Sequence, residues 1–89
     1  MTFQERYQSE NTWQGRVMIM EIYHLTMIVH NKEWNLTNTA IEFNVSIGLV
    51  SENLRLAEAF HIDSKLMKCP TRQEALTKLV NGNGRYRHG

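Results

Sequence analysis

The stretch "TAIEFNVSIGLVSENL", residues 39–54, places two apolar-spaced runs around a short polar hinge. In a helix-turn-helix, two helices cross steeply over a turn of about three or four residues. The first helix needs a small residue where the second helix crosses it and an apolar residue at its end. The turn needs a residue in the left-handed conformation followed by an apolar residue. The second helix needs an N-cap and then two apolar residues that pack against the first helix. The residues that supply them are Ala40, Phe43, Asn44, Val45, Ser46, Val50 and Leu54. The stretch therefore predicts a helix-turn-helix, with a plain helical hairpin as the alternative.

The rest of the sequence predicts an all-α fold, a small helical bundle of about five helices, because strand-like alternation of any length is missing. We expect a polar N-terminal arm over residues 1–10, a helical domain over 11–81 and a flexible basic tail over 82–89. The predicted helices are 12–30, a second from a Thr37 or Asn38 cap to Phe43, then 47–60, a short piece 64–68 capped by Asp63, and 72–80.

Side-chain types set the expected helix ends and inward faces. Asn11 and Gln14 have capping-box spacing, Asn31 is expected to stop the first long helix in a left-handed conformation, and Asn81–Gly82 is expected to end the last. The inward rows are predicted to be Val50, Leu54, Ala57 and Phe60 on one helix, and Ala75, Leu76, Leu79 and Val80 on another.

The helix predicted over 12–30 has two apolar stripes on nearly opposite sides. One stripe comprises Trp13, Val17, Met20, Met27 and Ile28, with His24 among them, and the other comprises Met18, Ile22, Leu25 and Val29. A surface helix needs only one apolar face. Since a chain of this length has a thin core, we expect the first stripe to pack within the domain and part of the second to form a homodimer interface. Packing of both faces within one chain is the alternative.

Charge is unevenly distributed along the chain. Residues 1–60 carry a net charge of −3 and residues 61–89 a net charge of +4, within a total of +1. The basic end is consistent with a phosphate-facing surface or with a solvated tail. Arg85, Tyr86, Arg87 and His88 in particular resemble either a minor-groove arm or a disordered solubilising segment.

Several classes of function find little support in the sequence. The single cysteine, Cys69, suits a reducing cytosol, and neither a signal peptide nor a membrane span is visible. His24, His30, His61 and Cys69 match no metal-ligand spacing. We therefore predict no catalysis, cofactor or metal, and a cytoplasmic protein, nucleoid-associated in a prokaryotic host.

Trp34, followed by "TNTAIEFNVSIGLVSENLRLAEAF" (37–60) and "TRQEALTKL" (71–79), resembles the central DNA-binding domain of partition (ParB-like) proteins and of related small phage or plasmid regulators. Such domains carry T-A-x-x-F/L-x-V-S-x-x-x-V-S-x-x-L-x-L-A and a later acidic-alanine-leucine helix. The resemblance covers residues 12–80 and implies DNA binding by the third helix. The nucleotide-binding and dimerisation regions that flank this domain in full-length partition proteins are missing, so no nucleotide-driven clamp is implied and self-association is expected from these helices.

A recognition helix enters the major groove at its N-terminal end. The residues expected to face base edges are Ile47, Gly48, Ser51, Glu52 and Arg55, and those expected to contact phosphates are Thr37, Asn38, Ser46, Lys65, Lys68 and Arg72. Arg55 is the only cation on the recognition helix, so tight binding is expected to need two copies on adjacent half-sites.

The predicted function is sequence-specific binding of double-stranded DNA, as a small repressor-like regulator of a phage or mobile element. Two alternatives remain open. One is a genome-packaging or partition protein that recognises a DNA site. The other is a protein-interaction adaptor whose contacts include the acidic residues Glu42, Glu52 and Glu58.

Overall fold

The computed structural model describes residues 2–88, and side chains for residues 2–80. Within residues 2–88 the chain forms five α-helices and one 3₁₀ segment, and no strand. They are α1 (Phe3–Ser9), α2 (Trp13–His30), α3 (Leu36–Phe43), α4 (Ile47–Ile62), the 3₁₀ segment Ser64–Lys68 and α5 (Arg72–His88). The all-α prediction is confirmed.

The N-terminal segment is a packed helix, where the sequence analysis expects a polar arm. Thr2 and Glu5 form a capping box: the Thr2 hydroxyl accepts from the Glu5 N–H at 3.1 Å and the Glu5 carboxylate from the Thr2 N–H at 2.9 Å. Phe3 stacks edge-on against Tyr23, with ring centroids 5.5 Å apart, and Tyr7 against Phe43 at 5.1 Å. One aromatic residue per turn is enough to hold this otherwise polar helix on the core.

The ends of α2 differ in detail from the prediction. Thr12, not Asn11, is the N-cap, because its hydroxyl accepts from the Gly15 N–H at 3.0 Å. Asn31 is extended, with φ −146°, and not left-handed. Its side chain accepts from the Glu33 N–H at 3.0 Å, so a local Asx turn replaces the expected left-handed stop.

Helix α3 begins earlier than predicted. Asn35 is the N-cap, not Thr37 or Asn38: its side chain accepts from the Asn38 N–H at 3.1 Å, and the Asn38 side chain accepts from the Asn35 N–H at 3.0 Å. This reciprocal pair places an asparagine where a capping box normally has Glu or Gln. Asn38 therefore serves the cap as its third helical residue.

The turn between α3 and α4 follows the predicted chemistry. Asn44 is left-handed, with φ 56° and ψ 49°, and is the one non-glycine residue with positive φ in the described part of the chain. The Asn44 N–H donates to the Ile41 carbonyl at 3.2 Å and the Val45 N–H to the Ala40 carbonyl at 3.0 Å. The Ser46 hydroxyl then caps α4 by accepting from the Leu49 N–H at 3.1 Å. The left-handed Asn44 and the Ser46 cap are both confirmed.

Substitutions at Asn44 should separate backbone strain from side-chain chemistry. Asn44→Val is expected to lower the free energy of unfolding by about 1–2 kcal/mol, because a β-branched residue is strained at positive φ. Asn44→Gly should equal or exceed the wild type, since glycine adopts this conformation freely. Urea unfolding followed by circular dichroism measures both. Equal losses in the two variants would show that the Asn44 side chain, and not its backbone, holds the turn.

Helix α4 is the central element, and it packs against α2, α3, the 3₁₀ segment and α5. Val50, Ala57 and Phe60 are buried as predicted, whereas Leu54 is only partly buried. Leu56 is fully buried and was not assigned to the core row. The helix also runs two residues beyond its predicted end at Phe60, to Ile62.

The core divides into two clusters along α4. Its N-terminal part packs with α2 and α3 around Met20, Ala40, Phe43 and Val50. Its C-terminal part packs with α2, the 3₁₀ segment and α5, and this cluster comprises Val17, Leu56, Ala57, Ala59, Phe60, Leu66, Cys69, Ala75 and Leu79. Cys69 thus acts as a small apolar core residue.

No helix in the described part of the chain is long and apolar enough to cross a membrane.

Helix α5 begins as predicted but does not end as predicted. The Thr71 hydroxyl accepts from the Glu74 N–H at 3.2 Å. Ala75 and Leu79, one turn apart, are buried, while Val80 turns outward and is 63% exposed, contrary to the prediction. The backbone helix continues through Asn81–Gly82 to His88, because asparagine and glycine weaken a helix by only about 1 kcal/mol or less each. The side chains of the predicted tail lie outside the described residues.

Candidate nucleic-acid interface

The outward side of α4 holds the residues predicted to face DNA bases. Ile47 is 48% exposed, Gly48 and Arg55 are exposed, and Ser51 is half-buried. Because residues three or four apart share one side of a helix, Ile47, Gly48, Ser51 and Arg55 form one continuous strip, which we call the recognition surface. The opposite side of α4 is the buried row described above.

The N-terminal end of the recognition surface is open and uncharged. A Cβ added at Gly48 would have Ser46 Oγ, 3.9 Å away, as its one near neighbour, so packing does not require glycine there. Ser46 satisfies one of the first N–H groups of α4. The other free N–H groups and the helix dipole favour an anion at this end.

Arg55 is the cation of the recognition surface. Its side chain is exposed and forms no ion pair with any side chain of residues 2–80. It borders a groove of about 300 Å³ between α4 and α5, lined by Glu52, Gln73, Leu76, Thr77, Leu79 and Val80. The guanidinium is therefore able to reach outward without first breaking an ion pair.

Glu52 and Arg72, both predicted to contact DNA, are bound to each other. Arg72 Nη2 lies 2.9 Å from Glu52 Oε1, and Arg72 Nε donates to Asn53 Oδ1 at 2.7 Å. Asn53 is 1% exposed, and its amide also lies 3.4 Å from the sulfur of Met20. In this arrangement Arg72 fastens the start of α5 to α4. A contact of either Glu52 or Arg72 with DNA would first have to break their ion pair.

Asn53 is a structural residue that was not predicted from the sequence. Its polar side chain is typical of a helix surface, yet it lies three residues after Val50 and four before Ala57. That spacing places Asn53 in the buried row, so its burial could have been predicted from its position relative to Val50 and Ala57.

The predicted phosphate contacts do not form one group. Ser46 lies at the N-terminal end of α4, whereas Lys65 and Lys68 are exposed on the 3₁₀ segment that follows its C-terminal end. A helix of 16 residues is about 24 Å long. Thr37 is exposed, while the Asn38 side chain is occupied by the α3 cap.

A buried polar cluster fixes α3 on α2. His24 Nδ1 lies 2.6 Å from Thr39 Oγ1, and Trp34 Nε1 donates to the same oxygen at 2.8 Å. Because that hydroxyl accepts from Trp34, its own proton is free to point at a neutral His24. Burial lowers the pKa of His24, which also favours the neutral ring.

Stability should therefore fall in mild acid. The folded chain holds His24 neutral, while the unfolded chain protonates it as the pH drops through about 6.5, so the unfolded state binds more protons there. The free energy of unfolding is expected to be fully retained above that pH and to decrease as the pH falls below about 6.5. Urea titrations at several pH values measure this, with His24→Gln as the control that should flatten the slope. An equal slope in His24→Gln would assign the effect to another group.

The apolar stripe assigned to a dimer interface lies at the surface. Met18 is 39% exposed, Ile22 50%, Leu25 53% and Val29 80%. Ile28, predicted for the core face, is 38% exposed as well. It lies toward the edge of the buried face on a helical projection, so its side chain is only half covered.

Comparison of the chain with protein-family models, curated proteins and solved structures found no match. Among the residues that the structure describes, no three His, Cys, Asp or Glu side chains are grouped so that they could hold a metal ion.

Proposed function

We propose that this chain binds double-stranded DNA sequence-specifically, with α3, the Asn44–Ser46 turn and α4 acting as a helix-turn-helix. The observation that carries the proposal is the pairing of a left-handed Asn44 turn with an α4 whose outward side is uncharged at its N-terminus and includes the small residues Gly48 and Ser51. A surface of that shape suits insertion into a major groove, which is about 12 Å wide.

Each residue of the recognition surface has a distinct part in the proposed contact. Gly48 lets the helix backbone approach the bases closely, and Ile47 offers an apolar contact for a thymine methyl group. The Ser51 hydroxyl donates to or accepts from a base edge. Arg55, one turn further, binds a guanine through both of its terminal nitrogens.

The proposed biological role is that of a small repressor-like regulator of a phage or mobile element, acting in the cytoplasm on its operator. Occupying the operator would exclude polymerase or a competing factor. The resemblance to partition-type domains supports DNA binding, and it equally suits a packaging or partition protein that marks a DNA site. The DNA sequence that the chain selects from random duplexes would distinguish a transcriptional regulator from a packaging or partition protein.

Binding to duplex DNA at two salt concentrations tests the class of function. Fluorescence anisotropy with a pool of labelled duplexes should show binding at about 50 mM salt that weakens by an order of magnitude or more at about 200 mM, because phosphate contacts release counterions. A chain that ignores DNA at the lower salt concentration would contradict the proposal.

One observation favours the adaptor alternative. On the outward side of α4 Arg55 is accompanied by the exposed carboxylate of Glu58 one turn away, and Glu42 is exposed on α3. Carboxylates repel phosphate, whereas they suit a basic protein partner. Failure to bind DNA, together with recovery of a protein partner that is lost on Glu58→Lys substitution, would support this alternative.

A further inference from the structure

The exposed stripe of α2 has the spacing of a coiled-coil seam. Met18, Ile22, Leu25 and Val29 follow one another at intervals of four, three and four residues. They lie on the side of α2 that is turned away from the buried Val17, Met20 and His24. This apolar seam is therefore left uncovered by the rest of the described chain.

The residue types within the seam divide as they do in two-stranded coiled coils. In heptad terms, Ile22 and Val29 are at a positions, and Met18 and Leu25 are at d positions. In parallel coiled coils, β-branched residues at a with Leu at d favour two strands over three or four.

We infer that the seam binds the seam of a second copy of this chain, with the two α2 helices parallel across a two-fold axis. Each seam residue then meets its own counterpart, so the surface is self-complementary as a two-fold interface requires. The inference does not depend on DNA binding. If the proposed function holds as well, the dimer supplies two recognition surfaces related by the same axis.

The surroundings of the seam favour a second copy over a lipid surface. No Lys or Arg occurs between residues 17 and 29, whereas helices that lie on membranes carry a basic rim. The Glu21 carboxylate lies 3.5 Å from His61 Nε2, and the Glu21 side chain is only 15% exposed. The Glu21 carboxylate thus lies against α4 and is largely covered, so it presents little charge to an identical surface.

The seam is short, so we expect a weak dimer. From Met18 to Val29 it runs about 17 Å along the helix, and stable interfaces bury about 800 Å² per partner. A dissociation constant in the micromolar range is therefore expected in the absence of DNA.

Analytical ultracentrifugation over a range of micromolar concentrations tests the interface. The wild type should shift from monomer to dimer, and Ile22→Glu should raise the dissociation constant by more than about tenfold, because it places two like charges face to face. Ile41→Glu is the matched control: Ile41 is 73% exposed on α3, so this variant should dimerise as the wild type does. A wild type that stays monomeric, or an Ile22→Glu variant that dimerises normally, would overturn the inference.

Disulfide formation tests the parallel alignment. In a Cys69→Ala background, Leu25→Cys should give a covalent dimer on oxidation, because the two d-position residues come within disulfide range only when the helices are parallel. In the antiparallel alternative, cross-linking instead occurs between a Met18→Cys chain and a Val29→Cys chain. That pattern would overturn the parallel arrangement. Circular dichroism shows whether each variant retains the helical fold.

Discussion

Arg55→Ala is expected to weaken specific DNA binding by about 1–3 kcal/mol per half-site, roughly 5- to 150-fold. The guanidinium of Arg55 is exposed and outside every ion pair of the described side chains, so its removal leaves the fold as it is. The loss of affinity should be confined to a duplex that carries the preferred binding site, and it should be small on a duplex of unrelated sequence. Fluorescence anisotropy on both duplexes measures the difference.

Two further variants identify what Arg55 contributes. Arg6→Ala removes the same charge from the exposed surface of α1, and it should leave discrimination between the two duplexes unchanged. Arg55→Lys retains the charge but loses the two-pronged geometry, so it should resemble Arg55→Ala on the selected duplex. Full binding by Arg55→Lys would mean that position 55 contacts a phosphate. An Arg55→Ala variant that binds the selected duplex as tightly as the wild type would show that Arg55 does not contact DNA.

Asn53→Ala is expected to lower the free energy of unfolding by roughly 1.5–3 kcal/mol. The Asn53 side chain is 1% exposed, and its oxygen accepts the Arg72 Nε–H at 2.7 Å. Truncation leaves that charged donor without its protein partner and opens space beside Met20. Urea unfolding of the variant measures the loss, and Asn44→Gly is a suitable control, because it shortens another asparagine side chain and retains this contact.

A double-mutant cycle isolates the Asn53–Arg72 contact. If the hydrogen bond carries the stability, Asn53→Ala and Arg72→Ala should be clearly less than additive, with a coupling of at least about 0.5 kcal/mol. Additive losses would show that Asn53 stabilises the chain through packing alone.

The turn between α3 and α4 was predictable because its rules are local. A left-handed residue, an apolar plug and a cap each depend on one or two neighbours, so Asn44, Val45 and Ser46 identify the turn without knowledge of the fold. The helix of α2 was likewise predictable from the period of its apolar residues. Its two stripes indicated that one side would stay uncovered by its own domain, as the exposure of Val29 shows.

Features that depend on distant pairing were not predictable. Whether Arg72 meets a phosphate or the Glu52 carboxylate is decided by how α5 docks on α4, 20 residues away in sequence. The packing of α1 likewise depends on where Tyr23 and Phe43 lie. Lys65 and Lys68 look like neighbours of the recognition helix in sequence, but the length of α4 separates them from Ser46.

Selection of binding sites from random duplex DNA tests the central claim most directly. The account predicts an enriched two-fold symmetric site, with half-sites whose centres are about 10 base pairs apart or a multiple of that, and with a guanine whose enrichment is lost for Arg55→Ala. A selection that enriches no sequence, or one that gives the same site for Arg55→Ala, would contradict recognition of DNA through α4.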